Sequence, residues 1–147
     1  MSFQDDPTAI RWHLHLRSPI DSVYATLATD AGRASFWAES AAERDGVIHF
    51  VFPGGLTWDG PVLEATPPHR FAVRYYGNST ATFTLADDGR GGTDLTLTDA
   101  GVPMPNREEV IAGWVSVLLA LKAAVDFGVD LRAHDPERNW DSGYAEN

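Results

Sequence analysis

The last third of the chain contains a long apolar segment with helical spacing, and this segment limits the folds that are possible. Its apolar side chains recur at steps of three and four residues: Ile111, Trp114, Leu118, Leu121 and Val125. This spacing places them on one face of an α-helix. We predict a helix from Asn106 to Ala133, with Asn106 as the N-cap and Glu109 completing a capping box. A helix this apolar needs another layer to cover it, so we expect a sheet to pack against it.

The residues before this helix alternate between apolar and polar side chains, as β-strands do. The first such segment runs from Ile10 to Arg17. Six further segments follow, several joined by tight turns such as Asp45-Gly46, and such connections favour antiparallel pairing. Two short helices are predicted between the first and second strands. The predicted fold class is therefore α+β: a curved antiparallel β-sheet wrapped around a long C-terminal helix.

Length, composition and charge exclude several classes of protein. The 147 residues predict one domain over 1–147, with a core at about 10–133 and a tail at 134–147. A net charge of −10 argues against nucleic-acid binding. The sequence contains no stretch of 18 consecutive apolar residues, so no membrane insertion is predicted. The chain has no cysteine and its first residues carry no basic, apolar leader. We expect a cytoplasmic protein.

A curved sheet and a long helix leave space between them, and bulky side chains are predicted to line it or to fill it as a plain core. The predicted cavity-lining residues are Trp12, Leu14, Trp37, Phe50, Phe52, Val62, Phe71, Val73, Tyr75, Phe83, Leu95, Trp114, Leu118 and Leu121. The polar groups that could join them are Asp59, Glu64, Arg74 and Tyr24. We expect no cofactor.

The sequence shows no catalytic constellation, so whether the protein is an enzyme stays open. His13 and His15 have the spacing of two metal ligands on a strand, but they alternate with apolar residues and should face outward, so no metal site is predicted. Asp59 and Glu64 fall on opposite faces of one strand unless a bulge lies near Gly60-Pro61. Phosphate-binding loops and nucleophile elbows are absent from the sequence.

Four segments, in this order, resemble the SRPBCC (START/Bet v 1-like) superfamily. They are Phe36-Trp37, 60–71, 92–98 and Gly113-Trp114. The branch they resemble is that of the homologues of the activator of Hsp90 ATPase, over about Ile10 to Val129. The resemblance implies a helix-grip fold with a deep hydrophobic cavity, but it implies no single reaction.

The leading functional hypothesis is binding of a small hydrophobic or amphipathic molecule in this cavity, in a carrier, sensor or stress-related role. One alternative is a cyclase- or hydrolase-type enzyme that uses Asp59, Glu64 or Tyr75 as acid or base. Another is a protein-binding module like the Hsp90 activator. Trp140 and Tyr144 make the polar tail costly to expose, so it should dock, either on its own domain, which we favour, or on a second copy in a homodimer.

Overall fold

The computed structural model describes residues 3–146, and they form a curved antiparallel sheet that grips a long helix. In this part of the chain the seven strands are β1 (Ala9–Leu16), β2 (Ser40–Arg44), β3 (Val47–Val51), β4 (Thr57–Thr66), β5 (Arg70–Arg74), β6 (Thr80–Asp87) and β7 (Thr93–Ala100). The three α-helices of the same residues are α1 (Ile20–Ala28), α2 (Asp30–Ala34) and α3 (Arg107–Phe127). The predicted α+β helix-grip architecture is confirmed.

The strands lie in the order β1-β7-β6-β5-β4-β3-β2, and each pair of neighbours is antiparallel. Tight turns join most of them. At Asp45-Gly46, for example, both residues have positive φ, as the predicted hairpin turn requires. The register aligns Phe71 with Phe83 and Phe83 with Leu97, so bulky apolar side chains form a continuous row on the concave face.

Helix α3 packs on this concave face through Trp114, Leu118 and Leu121, which are all buried. Trp37, which follows α2, lies at the centre of the core. Its ring centroid is within 6.0 Å of five other aromatic rings: Phe36, Phe50, Tyr75, Phe83 and Trp114. By length and composition the segment Met104–Phe127 could also span a bilayer, a property that it shares with core helices of globular domains.

Two predictions about the long helix are wrong. The helix ends at Phe127 and not at Ala133, because Gly128 adopts a left-handed conformation and its N–H closes the last turn on Ala123 and Ala124. At the other end, Asn106 is the N-cap residue as predicted, but its side chain forms no capping hydrogen bond, so the predicted capping box is not formed. The Glu109 carboxylate is instead used by the residues that follow the helix.

Those following residues, 128–146, form what we call the C-terminal strap. Arg132 donates hydrogen bonds to the carbonyl oxygens of Ala34 and Ala38, at 2.7 Å each, and so ties the strap to the chain between α2 and β2. Farther along, the Ser116 hydroxyl of α3 donates to the Ala145 carbonyl oxygen. The strap therefore runs back over its own domain, which is the docking that we favoured from the sequence.

Candidate functional site

A partly open cavity of about 190 Å³ lies between the sheet and the first half of α3. The turn between β3 and β4, the end of β5 and the C-terminal strap complete its walls. The lining residues are Phe52, Pro53, Gly54, Leu56, Trp58, Tyr75, Tyr76, Glu109, Val110, Gly113, Trp114, Ser116, Val117, Asn139, Trp140 and Asp141. Pockets of this composition, mostly apolar with a few polar groups, are typical of small-molecule sites.

Aromatic rings form most of the cavity wall. Six of the described lining residues are aromatic, and the rings of several pack against each other: Trp58 lies 4.4 Å from Phe52 and 5.1 Å from Tyr75 between ring centroids. Tyr75 in turn lies 5.0 Å from Trp114. Rings in mutual contact at these distances hold each other in place, so the wall is preformed.

A glycine in the middle of α3 leaves the cavity open on the helix side. Gly113 lines the cavity, and a Cβ atom added there would have no atom within 4 Å. Glycine inside a helix costs about 0.5–1 kcal/mol relative to alanine. At Gly60, by contrast, an added Cβ would collide with the carbonyl oxygen of Arg74. Packing explains the glycine at 60, whereas nothing in the backbone or its neighbours requires one at 113.

The C-terminal strap covers one side of the cavity. The indole Nε1–H of Trp140 donates to Glu109 Oε1 at 2.9 Å, which fixes the tryptophan over the first turns of α3. A Cβ at Gly54, in the β3–β4 turn, would meet the side-chain amide of Asn139. The strap therefore contacts both the helix and the turn, and closes the gap between them.

Behind the aromatic wall lies a buried carboxylate. The Trp114 indole donates to Asp99 Oδ2 at 2.8 Å, and Asp99 is fully buried. Burial raises the pKa of the Asp99 carboxyl above its ordinary value, and the interactions with the Ser79 hydroxyl and the Trp114 indole oppose this shift only in part. Asp99 does not line the cavity, but its hydrogen bond fixes the orientation of the Trp114 ring, which does.

A second hydrogen bond between wall and core joins Trp37 to Tyr75. The Trp37 indole donates to the Tyr75 hydroxyl at 2.9 Å. Burial raises the pKa of the Tyr75 phenol well above its ordinary value, so the group stays protonated at neutral pH. A phenol in this state can donate or accept a hydrogen bond but is a poor general base.

The structure places the predicted lining residues in two groups. Phe52, Tyr75 and Trp114 line the cavity. The others belong to the core that surrounds it, either buried or packed on it half-exposed: Trp12, Leu14, Trp37, Phe50, Val62, Phe71, Val73, Phe83, Leu95, Leu118 and Leu121. The space thus lies toward one end of the predicted aromatic set, and the rest of that set fills the interface between sheet and helix.

The polar residues predicted for the cavity lie elsewhere. Between Val62 and Glu64 the register with β5 shifts by one residue, and this bulge puts Asp59 and Glu64 on the same outer face. There Asp59 contacts His49 at 2.7 Å and Glu64 pairs with Arg70 at 3.0 Å.

The other two predicted polar groups are also outside the cavity wall. Arg74 donates to the Thr80 hydroxyl at 2.9 Å across the β5–β6 pair. Tyr24 packs edge-on against Phe71, and burial raises the pKa of its phenol. The structure therefore does not bring Asp59, Glu64 and Tyr75 together as a set of acid–base groups.

Several lining residues were not identified from the sequence, among them Trp58, Tyr76, Glu109 and Trp140. Two features of the sequence indicate this part of the molecule. One is Gly113, because a glycine inside a strongly helical pattern often has a packing or functional reason. The other is the aromatic content of the tail, which predicted docking but not the place.

The histidine pair of β1 is on the outer face, as expected. His13 contacts the Thr96 hydroxyl at 3.0 Å and His15 contacts Asp88 at 2.8 Å. Among residues 3–146 no group of three or more histidine and acidic side chains is arranged to hold a metal ion.

Comparison with known proteins places this fold in a family. The model for "Activator of Hsp90 ATPase homolog 1-like protein" matches residues 17–126. A comparison with curated proteins found no match.

Solved structures share the fold at low sequence identity. The Aha1 dimer from Colwellia psychrerythraea is 20% identical, with a TM-score of 0.73 over 82% of this chain and 97% of that chain. A protein from Staphylococcus saprophyticus is 20% identical, with a TM-score of 0.72 over 85% and 96%. A protein from Chromobacterium violaceum is 27% identical, with a TM-score of 0.69 over 82% and 99%. With the family model matching most of its length, the chain belongs to the activator of Hsp90 ATPase homolog 1-like family.

Proposed function

We propose that the protein binds a small hydrophobic or amphipathic molecule in the cavity between the sheet and the first half of α3. The observation that carries this proposal is Gly113. The chain has a residue of low helix propensity at a helix position that lines the cavity, although a Cβ atom there would meet no other atom within 4 Å. A helix that served only to cover the sheet would be more stable with any ordinary side chain at 113.

The size of the cavity limits the ligand. A closed apolar cavity of roughly 150 Å³ accommodates benzene, and this cavity has about 190 Å³. The ligand, or the part of it that is buried, therefore corresponds to one or two rings or a short alkyl chain. A larger ligand would need the C-terminal strap to move away, because the strap forms one wall.

The cavity can be tested by filling it from the helix. In Gly113→Leu the new side chain occupies the space that the ligand would use, whereas in Ala112→Leu the same side chain is added one residue earlier, on the exposed side of α3. The uncharged probe 6-acetyl-2-dimethylaminonaphthalene, which has two fused rings, changes its fluorescence in apolar surroundings. We expect saturable binding to the wild-type protein and to Ala112→Leu, and loss of at least tenfold in affinity in Gly113→Leu.

The tryptophans provide a second readout that locates the bound probe. Of the five tryptophans in the chain, Trp58, Trp114 and Trp140 line the cavity, and Trp12 and Trp37 do not. In a ¹H–¹⁵N spectrum the three lining indole signals should shift most on titration. Equal affinity of the wild type and Gly113→Leu, or shifts confined to Trp12 and Trp37, would show that the cavity is not the binding site.

A further inference from the structure

The charged residues of the cavity wall bear on which hydrophobic ligands the cavity would accept. The inference drawn from them rests on the proposed function. The lining contains two acidic residues, Glu109 and Asp141, and no lysine, arginine or histidine among the described residues. A ligand with a carboxylate or phosphate group would find no cationic partner in this wall. Its negative charge would also face the field of a protein with a net charge of −10.

Glu109 retains a free acceptor at the cavity. One oxygen, Oε1, accepts the hydrogen bond from Trp140, and Oε2 has no hydrogen-bond partner in residues 3–146. Glu109 also lies in the first turn of α3, where the helix end carries a positive partial charge of about half a unit. Glu108 in the same turn is a second acidic side chain.

The nearby cations are occupied by other partners. Arg107, at the start of α3, donates to the carbonyl oxygens of Asp6 and Ala9 near β1. In the strap, Arg138 pairs with Asp135. Neither arginine lines the cavity, so neither offers a direct partner to a negative group bound there.

Aromatic faces attract cations through their quadrupoles, most strongly when several rings surround a desolvated cation. Trp58, Tyr75, Tyr76 and Trp114 are aromatic residues of the wall, and Trp140 adds another from the strap. We infer that the cavity is selective for organic cations: a substituted ammonium or amine that carries an aromatic or short alkyl group. The rings would contact the apolar part and the cationic head, and Glu109 and Asp141 would balance its charge.

The inference is tested with three probes of the same shape and different charge. Benzyltrimethylammonium is cationic, neopentylbenzene is its neutral carbon counterpart, and phenylmethanesulfonate carries a negative head of similar size. Titration at low salt, followed through the tryptophan indole signals, should give the ammonium compound at least a tenfold lower Kd than neopentylbenzene. The sulfonate should bind most weakly, and added salt should reduce the difference between the charged probes.

The variants assign the preference to the two acids. Glu109→Gln with Asp141→Asn removes both charges, and the glutamine can still accept from Trp140, so the strap keeps its contact. This double variant should bind neopentylbenzene as the wild type does and lose the preference for the ammonium compound. Glu108→Gln, which removes a charge from the same helix turn outside the cavity wall, should retain most of it.

Three outcomes separate this inference from the proposed function. A tenfold preference for the cation that the double variant abolishes supports both. Tight binding of neopentylbenzene with no gain for the cation, or a preference that survives in the double variant, overturns the cation selectivity and leaves the cavity as the binding site. If none of the three probes shifts the indole signals of Trp58, Trp114 or Trp140, both are overturned.

Discussion

The two halves of α3 meet the rest of the molecule in different ways. The second half is packed and anchored: Leu118 and Leu121 are buried in the core, and Asp126 accepts hydrogen bonds from Ser18 and from the backbone of Arg17. The first half faces a cavity across Gly113 and is covered by the C-terminal strap. One helix thus provides both the stability of the fold and the wall of a site, because each task uses a different set of turns.

The largest expected difference between the halves is in packing. Leu121→Ala should lower the free energy of unfolding by about 2–5 kcal/mol, since Leu121 is fully buried and its removal leaves a void. Leu119→Ala is the matched control, because Leu119 is half exposed on the same helix and should cost no more than about 0.5 kcal/mol. Urea denaturation measures both. Similar losses in the two variants would contradict a closely packed second half.

The anchor at Asp126 predicts a pH dependence. Burial opposes its ionisation, but the hydrogen bonds from Ser18, Arg17 and Lys122 outweigh burial and hold the pKa of Asp126 below its usual value. A carboxyl with a lowered folded pKa stabilises the protein above its unfolded pKa of about 3.9, and this stability is lost as the pH falls through the folded value.

Asp126→Asn should therefore cost about 1.5–3 kcal/mol at pH 7, the range for hydrogen bonds to a charged group. The gap between variant and wild type should narrow as the pH falls below 4. Urea denaturation between pH 3 and pH 7 follows that gap. A gap independent of pH would mean that Asp126 acts through packing and not through its charge.

The buried carboxyl of Asp99, in β7, contacts the first half of α3 through Trp114. Its contribution to stability should change with pH in the opposite direction to that of Asp126. Asp99, which accepts from Trp114, has a pKa raised by burial. A raised carboxyl binds its proton more tightly in the folded state, so its contribution to stability falls as the pH rises from about 3.9 through the folded value.

Asp99→Asn keeps an acceptor for the Trp114 indole and carries no charge. We expect it to gain stability on the order of 1 kcal/mol at pH 7 relative to the wild type, with no gain at pH 3.5. The same urea series measures this. A loss of stability at pH 7 would show that the ionised carboxylate is needed in the core, beyond its hydrogen bond to Trp114.

A smaller effect on stability is expected at Gly113, in the first half of α3. Gly113→Ala should raise the free energy of unfolding by about 0.5–1 kcal/mol, because the helix gains a better helix former and the methyl group has room. Gly60→Ala should instead destabilise the protein, since its Cβ would meet the Arg74 carbonyl oxygen. Thermal unfolding of the two variants distinguishes a glycine that the cavity explains from one that packing requires.

The fold could be predicted from the sequence because its signals are local. Alternation in the strands, turn residues such as Asp45-Gly46 and the helical spacing of Trp114, Leu118 and Leu121 each report on their own segment. The end of α3 is also marked locally, by the glycine at 128, but the apolar residues that continue to Ala133 favour a longer helix than the structure contains.

The position of the cavity could not be predicted in the same way. Periodicity shows that Phe83 and Tyr75 point inward, but not that the first is enclosed by core and the second faces open space. That difference depends on where the strap lies and on how far α3 stands from the sheet at each turn. Both are properties of contacts between residues distant in sequence, such as Trp140 with Glu109.

The smallest expected effect concerns the attachment of the strap. His134 contacts Asp130 at 2.6 Å and Glu39 at 2.8 Å, and these two carboxylates raise the pKa of His134. A histidine with a raised folded pKa stabilises its contacts below its unfolded pKa of about 6.5, and this stability is lost as the pH rises through the folded value. The strap should therefore hold less firmly at pH 8.5 than at pH 6.

Hydrogen exchange of the strap amides, corrected for the intrinsic effect of pH, measures this attachment. We expect protection of residues 134–146 to decrease between pH 6 and pH 8.5 in the wild type, and His134→Gln, which cannot be charged, to show low protection at both. The amides of β6 and β7, remote from His134 along the chain, serve as the internal control. Because the strap forms one wall of the cavity, weaker attachment should also speed ligand release at pH 8.5. Strap protection that is unchanged with pH would mean that Arg132 and Trp140 hold the strap without His134.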